Sequence, residues 1–366
     1  MSNNHAGPPV CFNQTVELTI DNYGHEGDGV GRVRGFTVFV AGALQGERVK
    51  ARIYEVKKNF ARGRLIVIVD SAPTRIRPAC PVYADCGGCQ LQHLDYRAQL
   101  ELKRRQISDA LERIGGLAGV AVRPTIGMSD PWYYRNKAQY PFGMADNAVI
   151  IGFYRKGTHR MVATESCLLQ TMVANWVAEK ARKLAEKYRL TVYDETTGTG
   201  LLRHLLIKKA FGTGEIMVAL ITNQEEFPEG PALARELTTA FPAVKSVVQN
   251  INPTRDNVIL GGETRILAGA ATITEILDGL RFQISAASFF QVNPVQAEVL
   301  YKKAVEFAAL SGKETVLDAY CGVGSLTLFL ARRAGEVYGI EAVPEAVADA
   351  RRNAELNGMG NVRFLA

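Results

Sequence analysis

Three cysteines stand within ten residues, Cys80, Cys86 and Cys89, spaced C-x5-C-x2-C with Gly87-Gly88 before the last. Thiolates gathered this closely are metal-ligand chemistry, and the glycine pair lets the backbone fold around an ion or cluster. A fourth ligand is needed, and Cys167 is the best candidate. Structural zinc usually takes two C-x2–4-C pairs. Here the second pair is absent, and three clustered thiols plus a remote fourth suit a [4Fe–4S] cluster better. Four buried reduced thiols are the alternative. Cys11 and Cys321 stand alone and read as ordinary residues.

The second group is Val316-Leu-Asp318-Ala-Tyr320-Cys-Gly322-Val-Gly324-Ser325. A strand ending in Asp318 runs into a Gly-x-Gly turn that opens a helix at Ser325, so Gly322 and Gly324 let the backbone approach a nucleotide. Glu341 closes the next strand, where a carboxylate accepts hydrogen bonds from ribose hydroxyls. Dinucleotide turns read G-x-G-x-x-G, but the third glycine position holds Thr327. S-adenosylmethionine has no pyrophosphate and does not require that glycine. A third stretch, Ser288-Phe-Phe-Gln291-Val-Asn-Pro294, places an amide at a helix entrance just before this unit. The bare reading of this stretch is a helix start.

These residues need elements to hold them. Thr15–Val69 shows short β-branched and aromatic runs punctuated by glycine, with a glycine loop over 24–31, and reads as a small β-barrel. Between Val30 and Arg77 the chain carries a net charge of +8 within a total of +6. A basic module on a nearly neutral body suits a polyanion partner. Arg48, Lys50 and Arg52 alternate on one strand face, and Lys57, Lys58, Arg62 and Arg64 follow with Tyr54 and Phe60 interleaved, a pattern for phosphate contact and base stacking. Arg135 and Lys137 beside Trp132, Tyr133 and Tyr134 repeat it. His93, His159 and His204 read as surface or core hydrogen-bonding groups. A helix is expected over 95–114, strands over 133–161, a helix over 168–188, and strands with one helix over 201–284. From Asn293 the pattern becomes helix and then βαβαβ, the start of a doubly wound parallel sheet that stops at its third strand, so a truncated chain is expected. The composition, 47% apolar and 22% charged, excludes disorder, collagen and a disulfide miniprotein. With no span-length apolar run and no signal sequence, a cytoplasmic protein without membrane contact is expected.

In this order, the glycine-rich basic barrel, the C-x5-C-x2-C group with Cys167, Ser288–Pro294 and Asp318–Gly324 resemble the RNA uracil-5-methyltransferases, in particular their iron–sulfur 23S rRNA type. The resemblance covers the chain from about Val10. It implies a tail over 1–9, a TRAM RNA-binding barrel over 10–72, and a central α+β iron–sulfur and RNA-binding domain over 78–285. The first half of a Rossmann-like methyltransferase fold follows over 286–366, with helix 95–114 packing on it. It implies a monomer that moves a methyl group from S-adenosylmethionine to C5 of a uridine in 23S rRNA. Cys80, Cys86, Cys89 and Cys167 would hold the [4Fe–4S] cluster, and Gln291, Tyr320 and Glu341 match cofactor-contact positions. Uracil C5 is a weak nucleophile, so a cysteine thiolate must first add to C6. The family's Ser-Cys-Asn-Pro and Asp-Pro-Pro-Arg motifs are not found here, and the nucleophile and base are expected after Ala366. Alternatives are a tRNA uridine methyltransferase, a branch expected to lack the barrel and cysteine segments, a TRAM-bearing radical enzyme, whose clusters use C-x3-C-x2-C, and a non-catalytic zinc-ribbon RNA-binding protein.

Overall fold

The computed structural model describes residues 7–366, so most of the expected 1–9 tail lies outside the described residues. Two compact units are present. The first runs up to Ser129 and includes Tyr154–His159; the second comprises Asp130–Phe153 and Arg160–Ala366.

In the first unit, β1 (Thr15–Tyr23), β2 (Gly29–Val33), β3 (Phe36–Ala41), β4 (Arg48–Val56) and β5 (Phe60–Asp70) close into a barrel ordered β1-β2-β3-β5-β4. Alternation puts Val16, Leu18, Ile20, Val38, Val40, Val49 and Ile53 into one core. Most of β2 lies inside the span read as a loop, which is corrected here. Its glycines are there because a Cβ on Gly31 would come 2.3 Å from the Thr19 carbonyl oxygen and one on Gly29 2.7 Å from that of Ala43. Close backbone approach, rather than turn formation, selects glycine at both.

Glu47 is fully buried beside the barrel. Its carboxylate accepts from Arg75 Nε at 2.5 Å and from the Leu44 amide at 2.8 Å. Helix α1 (Tyr96–Asp109) starts at Asp95, whose side chain accepts from Arg97 and Ala98 amides, and continues through a π-helical turn, Ala110–Ile114. Its buried Leu102 packs with Leu44, Ala72 and Leu94, so this helix is seated against the barrel.

The second unit is built on a seven-stranded sheet. Its strands are β6 (Lys137–Ala145), β7 (Ala148–Tyr154), β8 (Met161–Ala163), β9 (Leu202–Lys209), β10 (Ile216–Thr222), β11 (Val244–Ile251) and β12 (Glu263–Gly269), ordered β12-β11-β10-β9-β6-β7-β8. Helices α2 (Met172–Lys187) and α3 (Gly230–Ala240) join the core on one face, through Val177, Leu184 and Leu233. On the other face Leu206, Met217, Ala219 and Ile221 share a core with hairpin β13 (Ile273–Leu277)–β14 (Leu280–Ile284) and with the C-terminal elements. Those are α4 (Pro294–Ala308), β15 (Thr315–Ala319), α5 (Ser325–Ala331), β16 (Glu336–Ile340), α6 (Pro344–Leu356) and β17 (Val362–Leu365). Strands β15-β16-β17 form a parallel sheet, as the βαβαβ pattern predicts. The central and C-terminal segments thus share one unit, and residues 73–129 fall with the barrel. No helix among the described residues is long and apolar enough to cross a membrane.

Candidate functional site

The glycine turn after β15 is strained in the way a ligand-facing turn is. Tyr320, Gly322 and Gly324 all have positive φ, at 63°, 57° and 80°, and for the non-glycine Tyr320 this is an uncommon conformation. Tyr320 stands 89% exposed. A Cβ on Gly322 would meet open space, whereas one on Gly324 would come 3.0 Å from the Phe364 ring. Glu341 straps the turn: one carboxylate oxygen accepts from the Gly322 amide and the other from the Val343 amide, each at 3.0 Å. Each oxygen keeps a lone pair for a ribose hydroxyl.

Asp318 is engaged within the protein. Its carboxylate accepts from the Thr327 hydroxyl at 2.5 Å, and Thr327 is fully buried. Burial pushes the Asp318 carboxyl up from its ordinary value, against the hydrogen bonds from Thr327. The residue at the third glycine position therefore fastens α5 to the end of β15. Cys321 lies in the same turn, buried. Burial first, then the Asp318 and Glu341 carboxylates, push its thiol up to about 11, the opposite of an activated nucleophile.

Asn293 caps α4 as expected, accepting from the Gln296 amide at 3.1 Å, with Pro294 beginning the helix. From Ser285 the chain alternates, with Ser288 and Phe290 buried and Phe289 and Gln291 exposed. The Gln291 side chain hydrogen-bonds Tyr301, whose hydroxyl lies 3.0 Å from Ser325 Oγ at the start of α5. Buried Tyr301 thus ties Gln291 to the helix that leaves the glycine turn. Sequence reasoning missed it, because a tyrosine on the apolar stripe of a helix carries no local signal.

Helix α6 fixes the same region. Asn353 accepts from the Gln283 amide at 2.9 Å and donates to the Val323 carbonyl at 3.0 Å. Asn357 accepts from the Arg281 amide at 2.8 Å and donates to its carbonyl at 2.7 Å. Asp349 accepts from Ser288 Oγ at 2.7 Å. Three polar residues four apart on one helix face meet strand β14 and the loop after it.

In the first unit the Cys80–Cys89 loop carries Cys80, Cys86 and Cys89, none of them in a disulfide. The Gly88 amide points at Cys86 Sγ, 3.4 Å away. Gly87 fits closely against a neighbouring segment: its amide donates to the Tyr154 carbonyl at 2.9 Å, and a Cβ there would come 2.8 Å from the Lys156 nitrogen. Asp85 pairs with Arg155 at 2.6 Å. Buried His93 has Nδ1 2.5 Å from the Tyr83 hydroxyl, and burial lowers it to about 4. In the second unit Cys167 is clamped through its backbone by Asn175 of α2, whose Oδ1 accepts the Cys167 amide at 3.0 Å. Among the described residues no group of three or more His, Cys, Asp or Glu is arranged to hold a metal ion. The donor chemistry, reduced thiols with an amide directed at one sulfur, still suits a thiolate-held group.

The basic residues divide. Arg48 pairs with Glu17 at 2.6 Å and Asp70 at 2.7 Å, Lys50 with Glu17 at 3.8 Å, and Lys57 with Glu55 at 3.0 Å. Arg62 lies against Phe39 and Phe60 with Asp28 and Glu55 at 3.6 and 3.5 Å, so it is largely engaged within the barrel. Arg52 and Arg64 are cross-strand neighbours without an ion pair among the described residues, and exposed Tyr54 shares the Arg52 face. Lys58 is likewise exposed. Arg135 and Lys137 are only partly exposed, and burial with Arg135 nearby lowers the Lys137 ammonium. His204 is held near 4, by burial first and then by Arg203.

Residues 9–66 match the TRAM domain and residues 310–366 a methyltransferase domain. The chain is 48% identical over 356 residues to an uncharacterized RNA methyltransferase of Halalkalibacterium halodurans, covering 97% of this chain and 78% of that one. The chain belongs to the RNA methyltransferases. A Clostridium acetobutylicum relative, also named an uncharacterized RNA methyltransferase, is 44% identical over 359 residues, covering 98% of this methyltransferase and 78% of that protein. A solved structure, the Pyrococcus abyssi tRNA (uracil-54, C5)-methyltransferase in complex with S-adenosyl-L-homocysteine, is similar with a TM-score of 0.74 and 27% identity, covering 95% of this methyltransferase and 79% of that chain. The methyltransferase is S-adenosylmethionine-dependent, and its glycine turn lies in the matched methyltransferase domain.

Proposed function

We propose that this RNA methyltransferase transfers a methyl group to C5 of a uridine in 23S rRNA, acting as a monomer in the cytoplasm. What carries the reading is the joined set of Glu341 on Gly322 and Gln291 on Tyr301 and Ser325, in a chain similar to a uracil-C5 enzyme. S-adenosylmethionine supplies an electrophilic methyl group. Gln291, Tyr320, Gly322, Gly324, Ser325 and Glu341 bind and orient it, with Asp318 holding the turn. A thiolate adds to uracil C6, C5 attacks the methyl, and a base takes the C5 proton as the thiolate leaves. The reading assigns neither thiol nor base to residues 1–366, and the raised thiol of Cys321 agrees with leaving it out.

Exposed Arg52, Lys58 and Tyr54, with Arg48, Lys50, Lys57 and Arg62 beside them, would meet RNA phosphates and bases, and Arg135 and Lys137 the target strand. Cys80, Cys86 and Cys89, with Cys167 as fourth ligand, would hold a [4Fe–4S] cluster. Such a cluster would cross-link the cysteine loop, and no step is routed through it. Four irons with matching sulfide in anaerobically purified protein support this part, and stoichiometric zinc without sulfide refutes it.

A tRNA target is the second reading. A tRNA-modifying enzyme covers 95% of this chain, so the barrel segment does not separate the two substrates. Nucleoside analysis of 23S rRNA and tRNA from cells with and without the gene decides. Loss of 5-methyluridine from 23S rRNA supports the first reading, loss from tRNA the second, and loss from neither overturns both.

A further inference from the structure

Lys208 sits on β9, where its neighbours Leu205, Leu206 and Ile207 are buried, and is itself only 6% exposed. It shares the face of Leu206 and Ala210, the face that packs toward the C-terminal elements. Its ammonium donates to two main-chain carbonyls of one loop, Ser285 at 2.8 Å and Ser288 at 2.7 Å. The same loop folds on itself through Ser285 Oγ and Ser288 Oγ, 2.8 Å apart, and is anchored to Asp349. Three residues later Asn136 Nδ2 donates to the Gln291 carbonyl at 2.9 Å, and the Asn136 amide to the Val292 carbonyl at 2.9 Å. Asn136 is in turn fastened to β9, its carbonyl accepting the Lys209 amide at 2.8 Å. The span 285–292 is therefore suspended from the end of one central strand. A buried ammonium is costly, and an apolar side chain of similar volume would often pack at least as stably. What it supplies instead is a fixed path for the backbone that delivers Gln291.

We propose that Lys208 is a positioning residue for the cofactor: by holding the Ser285 and Ser288 carbonyls it sets where Gln291 meets Tyr301 and the bound S-adenosyl group. This rests on the reading of Gln291 as a cofactor contact. Two measurements on the whole chain separate the inference from that reading. Amide hydrogen exchange across 285–292 reports the loop without any ligand. Lys208→Met should speed exchange there about tenfold while β10 and β11 keep their protection. S-adenosyl-L-homocysteine affinity reports the consequence. Lys208→Met should weaken it about tenfold in the native sequence and less than twofold in a Gln291→Ala background, because a residue acting through Gln291 has nothing left to position. Equal losses in both backgrounds, or unchanged exchange across 285–292, overturn the inference. Lys208→Leu, which likewise removes the donor, replaces Met if that variant does not fold. Should the unsubstituted chain bind no S-adenosyl-L-homocysteine, the functional reading fails, and the exchange result alone decides whether Lys208 sets the loop.

Discussion

The barrel and the C-terminal sheet treat their strand edges in opposite ways. Every barrel strand is paired on both edges, and its inward side chains, such as Val38, Val40 and Val49, are fully buried. On its surface Arg48 and Lys57 are matched with carboxylates, whereas Arg52 and Arg64 have no ion pair among the described residues. Strand β15 is paired on one edge only among the described residues, and its Leu317 is 61% exposed. Gly29 and Gly31 let barrel strands approach, whereas Gly322 in the turn opens on empty space. Closure leaves no strand edge in the barrel, while the parallel sheet presents the glycine turn at the carboxyl end of β15.

The largest expected effect tests the barrel. Glu47→Ala should cost about 3–5 kcal/mol, because it removes the fully buried partner of the half-buried Arg75 guanidinium and of two amides. Burial alone would raise the Glu47 carboxyl, but hydrogen bonds from Arg75, Leu44 and Ala72 hold it below its usual value. Its contribution is therefore full above the unfolded-state value of 4.5 and is lost as pH falls through the lower folded-state value. Denaturation curves at pH 7 and pH 3 should differ less in Glu47→Ala than in the native chain; an equal difference contradicts this.

A pair of glycine substitutions sharpens the contrast. Gly31→Ala forces a Cβ against the Thr19 carbonyl and should lower stability by about 1–3 kcal/mol with S-adenosyl-L-homocysteine binding retained. Gly322→Ala should do the reverse, costing about 1 kcal/mol for its left-handed backbone while weakening the ligand severalfold. Calorimetry and ligand titration on both variants check it, and the same pattern in both would erase the distinction.

Lys208 gives a smaller, pH-dependent effect. Burial first, then Lys137, lower it to about 7, against the attraction of Asp349. Between that value and its ordinary 10.5 the unfolded chain binds more protons, so stability should rise with pH across the window. Lys208→Met should remove that rise from the denaturation profile. The smallest effect is at the barrel surface. Arg52→Gln and Arg64→Gln should each reduce the salt slope of RNA binding by about 1, with Arg48→Gln changing it less, because Arg48 already has carboxylate partners.

Where sequence period and burial coincide, the fold was legible. The Arg48–Val56 alternation placed β4, and Asn293-Pro294 placed the start of α4. The strand at Gly29–Val33 was obscured because its glycines answer to neighbouring strands, which local propensity does not register. The site was legible as a turn with its flanking acid. Thr327 read as a departure from a motif, although it is the partner of Asp318. Tyr301 and Lys208 were not legible, since each acquires meaning only from chain 24 or about 80 residues away.

The turn has a consequence in the sign of its charge. The charges of Asp318 and Glu341 both act on Cys321, so a ligand seated at this turn would lie near two carboxylates. A diphosphate would be repelled, and a ligand with a cationic sulfur is attracted. Once the methyl group has left, that sulfur is a neutral thioether and the attraction falls away, so the field that draws the donor in gives no such hold on what remains after transfer.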